Sequence, residues 1–534
     1  MKKLLLLLLF PITIYSQTQI GNNINGEVSG DYFGSSVSLS SNGNIVAVGA
    51  NFSNSTSGKV KIYKNNNGIW EQIGNDINGE EYGDYLGESI SLSSDGSIIA
   101  IGATGATTGD TQVTGNVRVF ENISGNWEQI GNNIFGESDN DNSGYSISLS
   151  SDGSIIAIGA PFNYGGEYHS GHVRVYKNNN GDWEQIGNDI NGEGNSDQSG
   201  YSVSLSSDGN IIAIGAPFNN GNGQDSGHVR VYKNNNGDWE QIGNDIDGEF
   251  MGNESGSSIS LSSNGNIIAI GAIKNDGNGS ESGHVRVFMN NNGNWQQVGL
   301  DINGEISRDF SGRSVSLSSN GNIVAIGSPG NDVNNQDSGL IRIYQNINNN
   351  WEKIGNNING DNFLDYFGTS VSLSSNGNTV IIGAPFNDVN GSNSGLAKVY
   401  DLSAVLSTNN YVLSKFNIYP NPVKNNFTID LQDNLEFNRA SIYNSLGQII
   451  KSSKELTINT SNLNTGIYFI EIETNRDDGE VNTTRLEAGY TNRAYVKKMT
   501  GNNEGACDDL YEALSLGVES SVAFIEKQIE KNCL

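Results

Sequence analysis

Residues 201–243 read YSVSLSSDGNIIAIGAPFNNGNGQDSGHVRVYKNNNGDWEQIG. Four strand signals stand in this one stretch. Ser202 to Ser206 alternates polar and apolar residues at period two, the pattern of a half-buried strand. Ile211 to Ala216 is a short continuous apolar run, as expected of a strand buried on both faces. His228 to Tyr232 alternates again, and Trp239-Glu240-Gln241-Ile242-Gly243 is the fourth. We label the strands A to D. Asp208-Gly209 joins A to B, and such pairs favour hairpin turns because they tolerate positive φ. Asn234-Asn235-Asn236-Gly237 joins C to D with the same chemistry and more length.

The pattern recurs along the chain. Equivalents of strand A start at Ser35, Glu88, Tyr145, Tyr201, Ser257, Arg313 and Thr369. Trp70, Trp127, Trp183, Trp239, Trp295 and Trp351 mark strand D, and they use every Trp in the chain. Four antiparallel strands per repeat, in seven repeats of about 56 residues, predict a seven-bladed β-propeller. The fold class is all-β: the propeller over residues 17–402, then a small β-sandwich sorting domain and a short helical tail. Ser is small enough in strand A for the next blade to pack against it. Repeat seven supplies A, B and C but no Trp-marked strand. Thr18 to Glu27 matches the missing segment, so residues 18–24 are expected to close the last blade and leave no open edge.

Composition first suggests something else. The chain of 534 residues has 68 Gly, 7 Pro and 2 Cys, and a net charge of -30. Gly with Asn and Ser everywhere resembles linker, but a linker would not keep this register. The glycines belong to turns. The acidity excludes a general nucleic-acid binder, since phosphates demand a positive surface. Two Cys exclude a disulfide-built scaffold. Residues 1–16, MKKLLLLLLFPITIYS, read as a signal peptide: two Lys, an apolar run too short to span a bilayer, and Ser16 suited to cleavage. No transmembrane segment is expected in the mature chain, which is expected to be a monomer.

Phe33-Gly34 and Phe367-Gly368 precede strand A, and Gly159-Ala160-Pro161, Gly215-Ala216-Pro217 and Gly383-Ala384-Pro385 end strand B. This resembles the FG-GAP repeat of integrin α-chain propellers and many bacterial surface proteins. The resemblance covers residues 18–400 and implies a propeller that binds a partner. Integrin-type blades often carry a D-x-D-x-D-G calcium loop between A and B. Here that turn offers too few oxygens for an ion that takes six to eight, so those sites are not carried over.

The A–B and C–D turns lie at one end of the ring and are nearly identical. The B–C and D–A loops lie at the other end and vary, as binding loops tend to. The D–A loops carry Glu27, Glu80, Glu137, Glu193, Glu249, Glu305 and Asp361, with Asp31, Asp84, Asp197, Asp309 and Asp365 beside them. The B–C loops carry Asp225, Asp276, Asp332 and Asp388 among other acids. An acidic face attracts cations or cationic surfaces, and Ca2+ is its candidate ion. The alternative is a turn with a solvated acid, copied with the repeat. His172, His228 and His284 share one position at the start of strand C, where a partly exposed strand residue is expected. Equivalent positions in packed blades are about 10 Å or more apart, so the three cannot share one metal. The Trp residues are expected to cover blade edges. No G-x-S-x-G, H-E-x-x-H or G-x-x-x-x-G-K motif is present.

After a linker at 403–413, residues 414–500 alternate strands and turns. Phe416 to Pro422, with Tyr419, Pro420, Asn421 and Pro422, then Ala440 to Gln448 with Gly447, and Leu463 to Ile472 with Gly466, closely resemble the type A sorting domain of the type IX secretion system of Bacteroidota. The resemblance implies the type IX machinery as a partner, export across the outer membrane, and release or anchoring at the cell surface. Ala494 to Met499 is a candidate last strand. Residues 501–534 read as helical, bracketed by Cys507 and Cys533. The function expected is an exported cell-surface or secreted binding or adhesion protein whose loop face takes a glycan or an extracellular protein. The alternatives are a polysaccharide-active enzyme using carboxylates of that face, and a structural surface-layer protein.

Overall fold

The computed structural model describes residues 17–108 and 112–406, and further on residues 416–419, 426–431, 435–443, 449–461, 463, 469–476 and 481–482. The expectations for residues 1–16, Pro420, Asn421, Pro422, Gly447, Gly466, the strand at 494–499 and the tail at 501–534 with Cys507 and Cys533 lie outside these.

Seven antiparallel sheets form the ring. In blade 4 the strands are A (Ser202–Leu205), B (Ile211–Ala216), C (His228–Asn235) and D (Asp238–Gln241). Strand D does not stop there. It breaks at Gly243 and resumes as Ile246–Asp247, still paired with C. The four-strand expectation therefore becomes four strands with a broken outer one. Gly243 sits at φ 75°, with the Gly293 carbonyl of the next blade against it, so a side chain has neither the backbone nor the room. In blade 6 the same strand runs unbroken from Asn350 to Asn359 with a register shift.

Thr18–Gln19 and Ile24–Asn25 pair with Leu396–Asp401, strand C of blade 7. The first residues of the ring thus lie on its last blade. Beyond that strand, Ser403–Leu406 is a helical turn, and Leu402 and Val405 are buried with residues of blades 6 and 7. Their spacing of three turns both apolar side chains inward. The part of the linker next to the ring is therefore packed.

Strand A forms the inner wall, and its serines do more than leave room. Each A-strand Ser at the position of Ser202 donates to a Gly carbonyl of the next blade, as Ser202 does to Gly256 and Ser370 does to Gly34 across the closure. Two residues on, Ser148 accepts the Leu205 N–H of the next blade at 3.0 Å. At the turn, backbone N–H groups bond in a cycle: Ser41 to Ser94, then Ser151, Ser207, Ser263, Ser319, Ser375 and back to Ser41, at 2.8–2.9 Å. A ring of Leu39, Leu92, Leu149, Leu205, Leu261, Leu317 and Leu373 lines the cavity at this end with those serines. Burial of an unpaired N–H costs about 1–3 kcal/mol, so the cycle favours seven blades over an open array.

The rim has its own seam. Each Trp indole N–H donates to the preceding blade, as Trp239 does to the Ile186 carbonyl and Trp70 to Ile20. Gln17 stands where the seventh Trp is missing, and its amide bonds to Asn356 of blade 6. Between sheets lie cores such as Val173, Val175, Val203, Leu205, Ile212 and Ile214.

The C-terminal domain has two sheets. Phe416–Tyr419, Asn426–Leu431 and Thr457–Asn459 make one, and Leu435–Tyr443, Ile449–Ser453, Phe469–Arg476 and Val481–Asn482 make the other. Phe427, Ile429 and Ile458 of the first share a core with Ala440 and Ile442 of the second, which makes the pair a sandwich.

Candidate functional site

The loop end was expected to be an open acidic face. The structure gives most of its acids a partner. Strand C has a cation at its third residue in every blade: Lys61, Arg118, Arg174, Arg230, Arg286, Arg342 and Lys398. All but Arg118 are buried, and their charged ends meet the D–A acids. Lys61 lies 2.6 Å from Glu27, Arg118 3.6 Å from Glu80, Arg174 3.6 Å from Glu137, and Arg230 3.3 Å from Glu193. Arg286 is 3.9 Å from Glu249 and Lys398 is 2.5 Å from Asp361. Blade 6 differs, because Glu305 pairs with Lys353 of strand D. The arginines also donate to the end of the preceding strand D, as Arg230 does to the Asn191 carbonyl, and lie over an aromatic ring of their own strand. The D–A acids therefore act as latches between blades.

A second acid layer is buried. Asp31, Asp84, Asp141, Asp197, Asp309 and Asp365 are inside, not on the face. Asp309 accepts the N–H groups of Glu305 and Ile306 and the Asn331 amide, which ties the D–A loop to the B–C loop. Asn253 holds the place in blade 5. The B–C acids Asp276, Asp332 and Asp388 are exposed, and each accepts the N–H five residues on, closing its own loop. Asp225 sits at the other end of such a closure and donates its N–H to Asn220.

The inner end of the loop face is different. The residue that opens each strand A varies: Ser35, Glu88, Tyr145, Tyr201, Ser257, Arg313 and Thr369. Tyr145 and Tyr201 stack at a tilt with centroids 4.9 Å apart. Burial pushes the Glu88 carboxyl up, against the hydrogen bond from Asn51 and the Arg313 charge. Arg313 of blade 6 thus acts on Glu88 of blade 2, and the Tyr145 hydroxyl, raised chiefly by burial, feels both. An arc of rings runs beside them: Tyr85, Phe52, Tyr32, Phe386 and Tyr366, with neighbouring centroids 5.0–5.3 Å apart. Tyr32, Tyr85 and Tyr366 sit at φ of 49–54°. That left-handed region costs an ordinary residue about 1 kcal/mol or more. Phe52, Tyr164, Tyr168, Phe250, Met251, Phe363 and Phe386 add exposed apolar surface to the same loops. The face is aromatic as much as acidic.

The histidines are a correction. His172, His228 and His284 are buried, each about 1% exposed, because the D–A loop and the broken strand D cover them. Each meets carboxylates, not another histidine. Nδ1 of His172 lies 3.7 Å from Asp189 and 4.0 Å from Glu137. Nδ1 of His228 is 3.6 Å from Asp245, and Nδ1 of His284 is 3.9 Å from Asp301. Burial and the neighbouring Arg174 bring the His172 pKa down to about 4. His228 and His284 behave alike. All three are neutral at pH 7.

No helix among the described residues is long and apolar enough to cross a membrane. Residues 417–483 match the secretion system C-terminal sorting domain family, and residues 361–400 match the FG-GAP repeat family. No curated protein matches the chain. A solved structure named as a 6-phosphogluconolactonase from Bacteroides uniformis is similar at 14% identity and a TM-score of 0.45, over 61% of this chain and 86% of that one. The chain is a seven-bladed β-propeller with an FG-GAP repeat and a C-terminal type IX secretion sorting domain, exported to the cell surface or the extracellular space.

Proposed function

We propose that the propeller is the glycan-binding part of this exported protein, and that the glycan sits at the inner loop face. One observation carries the reading. In repeats that are otherwise nearly constant, the position opening strand A holds Glu88, Tyr145, Tyr201 and Arg313 around the axis, beside an aromatic arc. Aromatic rings stack on the apolar faces of sugars, and fixed charges and hydroxyls orient their polar groups. The acids of the D–A ring support the frame and not the ligand, since each is held by a cation.

The test is an array of glycans and matrix proteins probed with the exported chain, with and without calcium. The expected result is saturable binding to a defined glycan that falls at least tenfold in Tyr201→Ala and Arg313→Ala. Binding to a protein alone would remove the glycan reading. Binding indifferent to both substitutions would remove the site.

A second reading has its own observation. Glu88 is a carboxyl raised by burial at an accessible face, the state of a general acid. On this reading the chain would act on a polysaccharide. Product release abolished by Glu88→Gln would favour it over simple binding.

A further inference from the structure

Three clusters, each built around a buried histidine with more exposed carboxylates, lie apart from the axis. Glu137, His172 and Asp189 meet in blade 3, Glu193, His228 and Asp245 in blade 4, and Glu249, His284 and Asp301 in blade 5. In each, one ligand-type atom per residue lies within 4.8 Å of the others. We propose that each cluster binds a divalent transition-metal ion of the Zn2+ class through His Nδ1, the Asp carboxylate and the Glu carboxylate, with water completing the shell.

The geometry is wrong for a hydrogen bond and near right for a shared ion. His Nδ1 to Asp Oδ2 is 3.6–3.9 Å, beyond N–H···O range. Two ligands each ~2.0–2.1 Å from a tetrahedral zinc are themselves about 3.4 Å apart, so the His–Asp pair needs to contract by only a few tenths of an ångström, while the more exposed Glu, within 4.8 Å of the others, swings in further. Nδ1 of His172 and of His284 is buried and has no hydrogen-bond partner. A buried imidazole nitrogen left without a hydrogen-bond partner is unfavourable, and a cation shared with the facing carboxylates removes that cost. The Asp ligands are already held. Gln185 binds Oδ1 of Asp189 at 2.7 Å and leaves Oδ2 facing the histidine, and Gln241 and Gln297 do the same for Asp245 and Asp301. Such outer partners orient metal ligands.

The repeats supply an internal control. In blade 1 the position of His172 is Lys59, which pairs with Asn78 as His172 pairs with Asn191. The Lys59 ammonium lies 3.3 Å from Glu27 and 3.5 Å from Asp31. Lys61, 2.6 Å from Glu27 and 3.5 Å from Asp76, brings a second cation, so the acids of this group in blade 1 meet lysine side chains. In blades 2, 6 and 7 the position is Asn116, Leu340 or Leu396, and there the equivalent of Asp189 is Asn133, Asn357 or Asn23. The acid is present where the strand C residue is Lys or His, and absent where it is neither. Arg174, Arg230 and Arg286 approach the Glu of each cluster and leave one oxygen for the ion. Buried Asp141 and Asp197 add negative charge near the first two clusters, where blade 5 has Asn253, so blade 5 is the weakest of the three.

The experiment is a calorimetric titration of the metal-stripped full chain with Zn2+, repeated with Co2+ to read its ligand-field bands. Two triple variants use residues that other blades already carry: H172K/H228K/H284K, and D189N/D245N/D301N as a check if the first misfolds. The expected result is binding of up to three ions per chain, reduced at least tenfold in affinity or lost in both folded variants. No Zn2+ binding by the parent chain, or binding that both variants keep, overturns the proposal.

Discussion

The two ends of the propeller are built from the same repeats and use them in opposite ways. At the turn end every blade presents the same serine, and the seven backbone groups close a ring of hydrogen bonds on themselves. Nothing there is left to vary. At the loop end the same strand A begins with Ser, Thr, Glu, Tyr or Arg, and aromatic rings line the loops beside it. At the turn end those polar groups are consumed by the ring, whereas at the loop end the acids latch the blades and the residues opening strand A are left to vary. A repeat protein keeps constant what holds neighbours together and varies what need not.

The comparison can be broken in steps. Deleting residues 17–25 removes the strand that joins first and last blades, buried Ile24 included. Stability should fall by about 5 kcal/mol or more, seen as a lost or strongly lowered thermal transition. An unchanged transition would mean that the ring does not need closing.

Acid should act next, through the histidines. Their pKa values are about 4 in the folded chain against 6.5 in the ordinary state. Depressed values mean that the unfolded chain binds more protons between pH 6.5 and 4, so stability is full above 6.5 and is lost on acidification. Each histidine should cost about 2 kcal/mol between pH 6.5 and 5 in metal-free protein. Denaturation midpoints across this window should flatten in a His→Gln triple variant. An equal slope in that variant would contradict the burial described here.

Smaller effects separate the ends. Ser148→Ala leaves the Leu205 N–H without its acceptor and should cost about 1–3 kcal/mol. Trp239→Phe keeps the ring and loses the indole bond to Ile186, about 1 kcal/mol. Arg313→Ala at the loop end should change stability by about 0.5 kcal/mol or less. If Arg313→Ala proves as costly as Ser148→Ala, the division between the ends fails.

Much of the ring could be read from sequence, because the period of 56, the Asn-Gly turns and the displaced strand at 18–24 are local patterns. The pairing of the acids was harder. Arg230 and its equivalents sit in plain view in His-Val-Arg-Val-Tyr, but the side of the seam they face depends on how blades pack. The buried histidines were misjudged for a related reason: strand D breaks and resumes, and the extra piece covers them. The axial residues did carry a signal. Glu88, Tyr145, Tyr201 and Arg313 stand at the head of segments that otherwise hardly differ, and variation inside a constant repeat marks a position released from structural duty. The sorting domain was the most legible part, since its strands and turns fall in short recognisable blocks that match a family over residues 417–483.

The most direct test compares glycan binding by the exported chain with that of a Tyr145→Ala/Tyr201→Ala/Arg313→Ala variant of unchanged thermal stability. The account predicts saturable binding by the first and a loss of at least tenfold in the second. Equal binding by both, or a site mapped to the serine end, would contradict it.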